Sequence, residues 1–175
     1  MNLVLIGYRG TGKSTVAELL ATRLGWKAVS TDVRIVEKAQ RPIPDIVARD
    51  GWEHFRNLET EVCLVLKNQD CLVIDTGGGL ILRPENVTAL KPNGLLFWLT
   101  ATVSTITRRI SDDTQRPALT AGKTFVEEIQ DVLDERTPKY QAAADHTIAT
   151  DDLSPEKIVS HILTIARDHG IERSG

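Results

Sequence analysis

Histidine and cysteine are scarce in this sequence, and neither is arranged as in a metal site or a disulfide framework. Four histidines are scattered without the spacing of zinc ligands, so no zinc site is predicted. The two cysteines, Cys63 and Cys71, stand in apolar surroundings. We therefore expect reduced thiols that pack as small core residues, as is usual in a reducing cytoplasm.

Long apolar runs are also missing, and so is a large excess of charge. No run approaches the length needed to span a membrane, and the amino terminus lacks the features of a signal peptide. A net charge of −3 over 175 residues gives no electrostatic reason to expect nucleic acid or an anionic membrane as a partner. We therefore expect a cytoplasmic protein and, at this length, a single domain over residues 1–175.

What the sequence does contain, near its amino terminus, is a phosphate-binding loop. Residues 7–14 read Gly-Tyr-Arg-Gly-Thr-Gly-Lys-Ser and fit the pattern Gly-x-x-x-x-Gly-Lys-Ser/Thr. An apolar run over residues 3–6 precedes the loop, and a helical pattern of apolar residues follows it to Leu24. Strand, glycine-rich loop and helix, in this order, are the context in which the motif binds a nucleotide.

The chemistry of this loop predicts an ATP site. Glycines let backbone N–H groups turn towards phosphate oxygens, and the helix that opens at Ser14 or Thr15 directs its positive end at the same anion. Lys13 can reach the β- and γ-phosphates, and the Ser14 hydroxyl can ligate Mg²⁺. The residues predicted to bind the nucleotide are Gly10, Thr11, Gly12, Lys13, Ser14 and Thr15.

Five short apolar runs alternate with helical patterns along the chain. Strands are predicted at about 2–6, 27–30, 71–74, 95–99 and 146–149, and helices at about 14–24, 32–38, 45–49, 52–67, 103–110, 125–136 and from 155. This alternation predicts an α/β fold, with a mainly parallel five-stranded sheet covered on both faces by helices. Gly7 and residues 30–32 and 75–79 each follow a strand, so they should converge at the carboxyl edge of the sheet.

One polar segment interrupts this pattern. Residues 111–123 lie between two predicted helices, contain Pro117 and Gly122, and show no apolar period. A loop of this length within a compact domain is usually functional or disordered. We therefore expect either a functional loop or a disordered one at residues 111–123.

Taken together, several further motifs resemble the shikimate kinase family of small P-loop kinases over nearly the whole chain. They are Thr31-Asp32, Gly51-x-x-x-Phe55-Arg56-x-x-Glu59, Thr76-Gly77-Gly78-Gly79, Arg116-Pro117-x-Leu119 and Glu135-Arg136-x-Pro138-x-Tyr140. The Gly51-Trp52 pair and the segment 116–120 resemble the subgroup often called type II. The resemblance implies a three-layer P-loop kinase fold with a mobile lid at about 111–123. It also implies phosphorylation of the 3-hydroxyl of shikimate by ATP with Mg²⁺.

The resemblance also implies how the substrate is bound. Arg56 and Arg136 match the family's carboxylate-binding pair, and arginine suits this task because its planar fork holds a carboxylate bidentately. Gly78 matches a backbone N–H that contacts the substrate. Asp32 matches a carboxylate that accepts hydrogen bonds from the ring hydroxyls, and it could orient the attacking hydroxyl or take its proton.

The expected catalytic residues are Lys13, Asp32 and Arg116. Arg116 lies in the lid, where the resemblance places it against the nucleotide, and lid closure would exclude water from the reaction. The segment that binds the substrate is expected at about residues 32–60.

Each of these residues also has a plain structural interpretation. Arg56 and Arg136 could belong to solvated helix faces, because most arginines are exposed. Asp32 could be a favourable charge at a helix amino terminus. Glu59 could hold Arg56 from one helical turn away or form an ordinary surface pair with it. Trp52 could stack against the substrate ring or fill the core.

The chain departs from the family pattern at two positions. The family usually has Asp-Thr-Asp after the second strand, whereas this chain has Ser30-Thr31-Asp32. A small residue usually precedes Thr-Gly-Gly-Gly, and Asp75 stands there instead. Residues 71–75 read like a Walker B strand, so we hypothesise that Asp75 supplies the Mg²⁺-side carboxylate that Ser30 lacks. The alternative is a capping or turn residue.

Two other functions compete with this interpretation. Another small-molecule P-loop kinase, such as a gluconate kinase, would also use arginines for a carboxylate substrate. A catalytically silent nucleotide-binding module would explain Ser30. The retained motifs favour an active kinase whose partners are shikimate and ATP, without nucleic acid or membrane. Nothing in the sequence marks a self-complementary apolar patch, so we expect a monomer.

Overall fold

The computed structural model describes residues 1–110 and 125–171, and at its centre lies a five-stranded parallel sheet. The strands are β1 (Asn2–Ile6), β2 (Lys27–Ser30), β3 (Leu72–Asp75), β4 (Gly94–Thr100) and β5 (His146–Ala149). Their order is β2-β3-β1-β4-β5, and every pairing is parallel. The predicted α/β fold with a five-stranded parallel sheet is confirmed.

Seven α-helices surround the sheet in the part of the chain that the structure describes. They are α1 (Lys13–Leu24), α2 (Thr31–Ala39), α3 (Ile43–Leu66), α4 (Pro84–Leu90), α5 (Val103–Ile110), α6 (Phe125–Ala143) and α7 (Pro155–Asp168). Short 3₁₀ turns at Leu80–Leu82 and Lys91–Asn93 flank α4. The sequence analysis did not predict α4 or these turns, although Pro84 in the first turn of α4 is a common signal for the start of a helix.

The sheet separates two apolar clusters. Leu3 and Leu5 of β1 pack with residues of α1 and α7, whereas Val4 and Ile6 pack on the other face with residues of α3 and α6. A strand buried on both faces reads as a continuous apolar run, which is why β1 was easy to recognise. Within the described ranges, no helix is long and apolar enough to cross a bilayer.

Two helices differ from a simple periodic pattern. Gly51 divides α3 with φ 82° and ψ 168°, a backbone conformation that strongly favours glycine. The two helices predicted on either side of Gly51 are therefore two helical segments that meet at a break within the range of α3. The predicted end of α6 at Arg136 was wrong, because the helix continues past Pro138 to Ala143. Tyr140, which is buried and stacks on Trp98 at 5.6 Å, holds the added turn in the core.

Candidate active site

The phosphate-binding loop joins the carboxyl end of β1 to α1. The Thr11 hydroxyl donates to the carbonyl of Tyr8 at 2.8 Å, and the Lys13 ammonium donates to the same oxygen at 3.1 Å. Both donors are buried. The loop is thus held by its own side chains, with the predicted phosphate-binding lysine inside it.

A hydrogen bond links the first turn of α1, at Ser14, to the carboxyl end of β3, at Asp75. The Ser14 hydroxyl donates to Oδ2 of Asp75 at 2.6 Å. Ser30 lies opposite Asp75 in the parallel register of β2 and β3. The Ser30 oxygen instead caps α2 by accepting from the backbone N–H of Val33 at 3.4 Å. A serine hydroxyl beside a carboxylate provides the oxygen ligands that Mg²⁺ prefers, so the residues present fit that ion.

Two cavities open at this edge of the sheet. One lies at the phosphate-binding loop, and the other, beside it, is lined by side chains from several elements. Asp32 comes from α2, Trp52 and Arg56 from α3, and Arg136 from α6, with residues 77–79 forming the floor. Three residues line both this cavity and the one at the phosphate-binding loop, namely Arg9, Asp32 and Gly78. The two cavities therefore meet at Asp32, which the sequence analysis predicted to be catalytic.

Arg56 is fixed by buried neighbours. One of its terminal nitrogens donates to Oε2 of Glu59, which is fully buried. Burial raises the pKa of Glu59, although the charge and hydrogen bond of Arg56 act in the opposite direction. The guanidinium also lies over the rings of Trp52 at 5.5 Å and Phe55 at 5.1 Å. The interpretations of Arg56 as a solvated residue and of Glu59 as an ordinary surface partner are therefore wrong.

Arg136 is held by the glycine segment that follows β3. It donates to the carbonyl of Gly78 at 3.1 Å, and the Tyr140 hydroxyl donates to the same oxygen at 2.5 Å. The backbone N–H of Gly77 donates to the Thr31 hydroxyl oxygen at 2.9 Å. Arg136 is only 9% exposed, so it does not belong to a solvated face. These bonds hold the peptide groups on either side of the one that carries the N–H of Gly78.

Trp52 lies at the wall of this cavity rather than in the core. Its side chain is 39% exposed and lines the cavity, with its ring edge-on to Phe55 at 5.8 Å. It therefore does not fill the core, and it is available to a ligand in the cavity.

The sequence analysis did not predict the contacts of two further arginines, Arg9 within the loop and Arg109 at the end of α5. Arg9 lies between the two cavities and pairs with Glu128 of α6 at 3.8 Å. Arg109 donates to the carbonyl of Gly10 at 3.1 Å and to the carbonyl of Thr150 at 2.8 Å. Arg109 lies in the last turn of α5, and the sequence alone does not say which way its side chain points. The predicted lid at 111–123, with Arg116, lies outside the described residues.

Comparison with known proteins places these features in a family. A family model for shikimate kinase matches residues 9–167. The chain is 36% identical to shikimate kinase 2 of Yersinia enterocolitica, over 97% of this chain and 98% of that one. It is 41% identical to shikimate kinase 2 of Photorhabdus laumondii, over 93% and 94% of the two chains.

A solved structure agrees with this match. The shikimate kinase of Acinetobacter baumannii in complex with shikimate superposes with a TM-score of 0.91 at 32% identity, covering 98% of this chain and 95% of that one. The chain therefore belongs to the shikimate kinase family.

Proposed function

We propose that this shikimate kinase transfers the γ-phosphoryl group of ATP to the 3-hydroxyl of shikimate where its two cavities meet. The observation that carries the proposal is that Arg9, Asp32 and Gly78 line both cavities. A phosphoryl acceptor in one cavity and a nucleotide in the other would then face each other directly, as in-line transfer requires. The relative from Acinetobacter baumannii, whose structure contains shikimate, supports this acceptor.

The acceptor side would bind an anionic ring through fixed donors. Arg56 and Arg136 would hold the carboxylate, and the backbone N–H of Gly78 would contact the ring. Both guanidinium groups are already restrained by protein partners, so little conformational entropy is lost when the substrate binds. Asp32 would accept hydrogen bonds from the ring hydroxyls and orient the one that attacks, or take its proton.

The nucleotide side would act mainly by electrostatic stabilisation. Residues 10–15 would surround the phosphates, and Lys13 would move from the Tyr8 carbonyl to the transferring group. Arg116 would approach the nucleotide when the lid closes over it. These donors would neutralise charge that spreads over the phosphoryl oxygens during transfer.

Mg²⁺ would be held by Ser14 and Asp75 in this chain. When bound, the ion supplies charge neutralisation at the β- and γ-phosphates. The hydrogen bond between Ser14 and Asp75 supports this pair, as does the helix-capping role of Ser30. We expect Asp75→Asn to raise the Mg²⁺ concentration needed for half-maximal activity at least tenfold. Ser30→Ala, the matched control, should change it little, and an Asp75→Asn enzyme with normal Mg²⁺ dependence would contradict the assignment.

The function is tested by measuring ADP release with MgATP and different acceptors. Shikimate should stimulate turnover strongly, whereas gluconate and nucleoside monophosphates should not. Phosphorus–proton coupling in the NMR spectrum of the product identifies the modified hydroxyl. Stimulation by gluconate would favour the other kinase class, and ATP binding without turnover would favour a silent module.

We further propose that residues 1–175 form one domain that acts as a monomer in the cytoplasm. The substrate-binding role of residues 32–60 rests on Asp32, Trp52 and Arg56, all of which line the acceptor cavity. Sedimentation in the presence and absence of shikimate measures the oligomeric state.

A further inference from the structure

A pair of histidines lies at the edge of the sheet, away from the two cavities. His146 is the first residue of β5, so it lies towards the amino ends of the strands, whereas the active site is at their carboxyl ends. His169 follows the last residue of α7. The Nε2 atoms of the two rings are 3.4 Å apart. The fold thus brings together two residues that are far apart in sequence and show no metal-ligand spacing there.

The backbone and rings around this pair are well held. The ring of His146 stacks on Phe97 of the neighbouring strand, with centroids 5.4 Å apart and planes at 26°. The backbone N–H of His169 donates to the carbonyl of Ala166 at 3.1 Å. That of Ile171, which is buried, donates to the same oxygen at 3.0 Å. The ring of His146 and the backbone of His169 are therefore held by protein contacts that need no ligand.

The distance between the nitrogens fits a shared metal ion. Two imidazole nitrogens at about 2.05 Å from Zn²⁺, at the tetrahedral angle, are about 3.4 Å apart. His169 also stands at the carboxyl end of α7, where the partial negative charge of the helix favours a cation. Two neutral imidazoles sharing one N–H···N hydrogen bond are the alternative, and a metal replaces that shared proton.

We propose that His146 and His169 form a binding site for a late first-row divalent metal ion, with Zn²⁺ as the best geometric fit. Among the described residues, no set of three His, Cys, Asp or Glu side chains is placed to hold a metal, so water would complete the coordination. The ion would join the edge strand β5 to the end of α7. Its effect would be on stability rather than on phosphoryl transfer.

The test is thermal unfolding with increasing Zn²⁺, in a Cys71→Ser background that removes the exposed thiol. We expect the melting temperature to rise by roughly 5–10 °C when free Zn²⁺ exceeds the dissociation constant 100-fold. His146→Gln and His169→Gln should each abolish this rise. His161→Gln, which removes an exposed histidine of α7, is the matched control and should retain it.

Calorimetric titration with Zn²⁺ gives a second measurement that does not depend on melting. One ion should bind per Cys71→Ser chain with His161 intact or replaced, and His169→Gln should remove that binding. Because His169 is exposed at a helix end, its replacement leaves the core intact. No Zn²⁺-dependent rise, or a rise that survives in either histidine variant of the pair, would overturn the proposal and leave the pair as a hydrogen bond.

Discussion

The nucleotide side and the acceptor side of the active site are built in different ways. The first is built mainly on one continuous segment, residues 7–15, in which the Thr11 and Lys13 side chains are buried, with Asp75 added from the end of β3. The second draws Asp32, Arg56, Gly78 and Arg136 from separate elements along the chain. A local motif can bind phosphates of many substrates, whereas selecting one small acid requires side chains that only the folded chain brings together. Variants on the two sides should therefore fail in different ways.

Loss of Lys13 should have the largest effect. Lys13→Ala removes a cation expected to neutralise charge in the transition state, so kcat should fall by about 10²–10³-fold. The KM for shikimate should change little, because this residue does not line the acceptor cavity. Steady-state kinetics with each substrate varied in turn measures both. Lys38→Ala, at an exposed surface pair, is the control.

Gly79 offers a way to damage the acceptor side without removing any of its functional groups. A Cβ built on this residue would collide with the guanidinium of Arg56. Gly79→Ala should therefore displace Arg56 and raise the KM for shikimate by roughly 30-fold or more, since hydrogen bonds to a charged group are worth about 1.5–3 kcal/mol. Calorimetric titration with ADP should show unchanged nucleotide affinity. A matching loss of ADP affinity would mean that the two sides are not separable.

Replacement of Arg136 by lysine tests whether geometry or charge matters on the acceptor side. Arg136→Lys keeps the charge but loses the planar fork that binds a carboxylate bidentately, so the KM for shikimate should rise roughly 10-fold. The bond to the Gly78 carbonyl at 3.1 Å would also be weakened. Arg34→Lys, on an exposed pair, should behave as wild type. An unchanged KM in Arg136→Lys would show that charge alone suffices.

The smallest effect is expected at Glu59, which touches Arg56 rather than the substrate. Glu59→Gln should raise the KM for shikimate roughly fivefold, because Arg56 keeps a hydrogen bond but loses an ionic partner. Glu61→Gln, on the same helix in an exposed pair with Lys38, is the matched control and should have almost no effect.

The pH dependence of stability gives Glu59 a second test. Burial raises its pKa above the ordinary 4.5, which means that the native chain binds this proton more firmly than the unfolded chain. The stability that protonation contributes is present below pH 4.5 and is lost as the pH rises through the native pKa. Relative to Glu59→Gln, the wild-type free energy of unfolding should therefore decrease as the pH rises above 4.5, as urea titrations would measure. The opposite slope would show that Arg56 outweighs burial.

The fold and the nucleotide loop were accessible from sequence because their causes are local. Doubly buried strands appear as apolar runs, and a phosphate-binding loop requires glycines and a lysine at fixed spacing. The end of α6 was missed because packing of Tyr140 outweighs the usual helix-breaking effect of Pro138. The shorter α4 was missed because only Val87 and Leu90 mark a large apolar face on it, although Pro84 is a typical first residue of a helix.

The sequence by itself therefore determined the order of elements, the phosphate-binding loop and, through resemblance, the residues expected to bind shikimate. Only the tertiary structure decided that Arg56 and Arg136 are shielded from solvent, the first held by Glu59 and the second by the Gly78 carbonyl. It also decided that the Ser14 hydroxyl donates a hydrogen bond to Asp75. The physical reason is that burial and charge pairing depend on which distant segments meet, and spacing along a chain does not encode that directly. The histidine pair at β5 and α7 is invisible in sequence for the same reason.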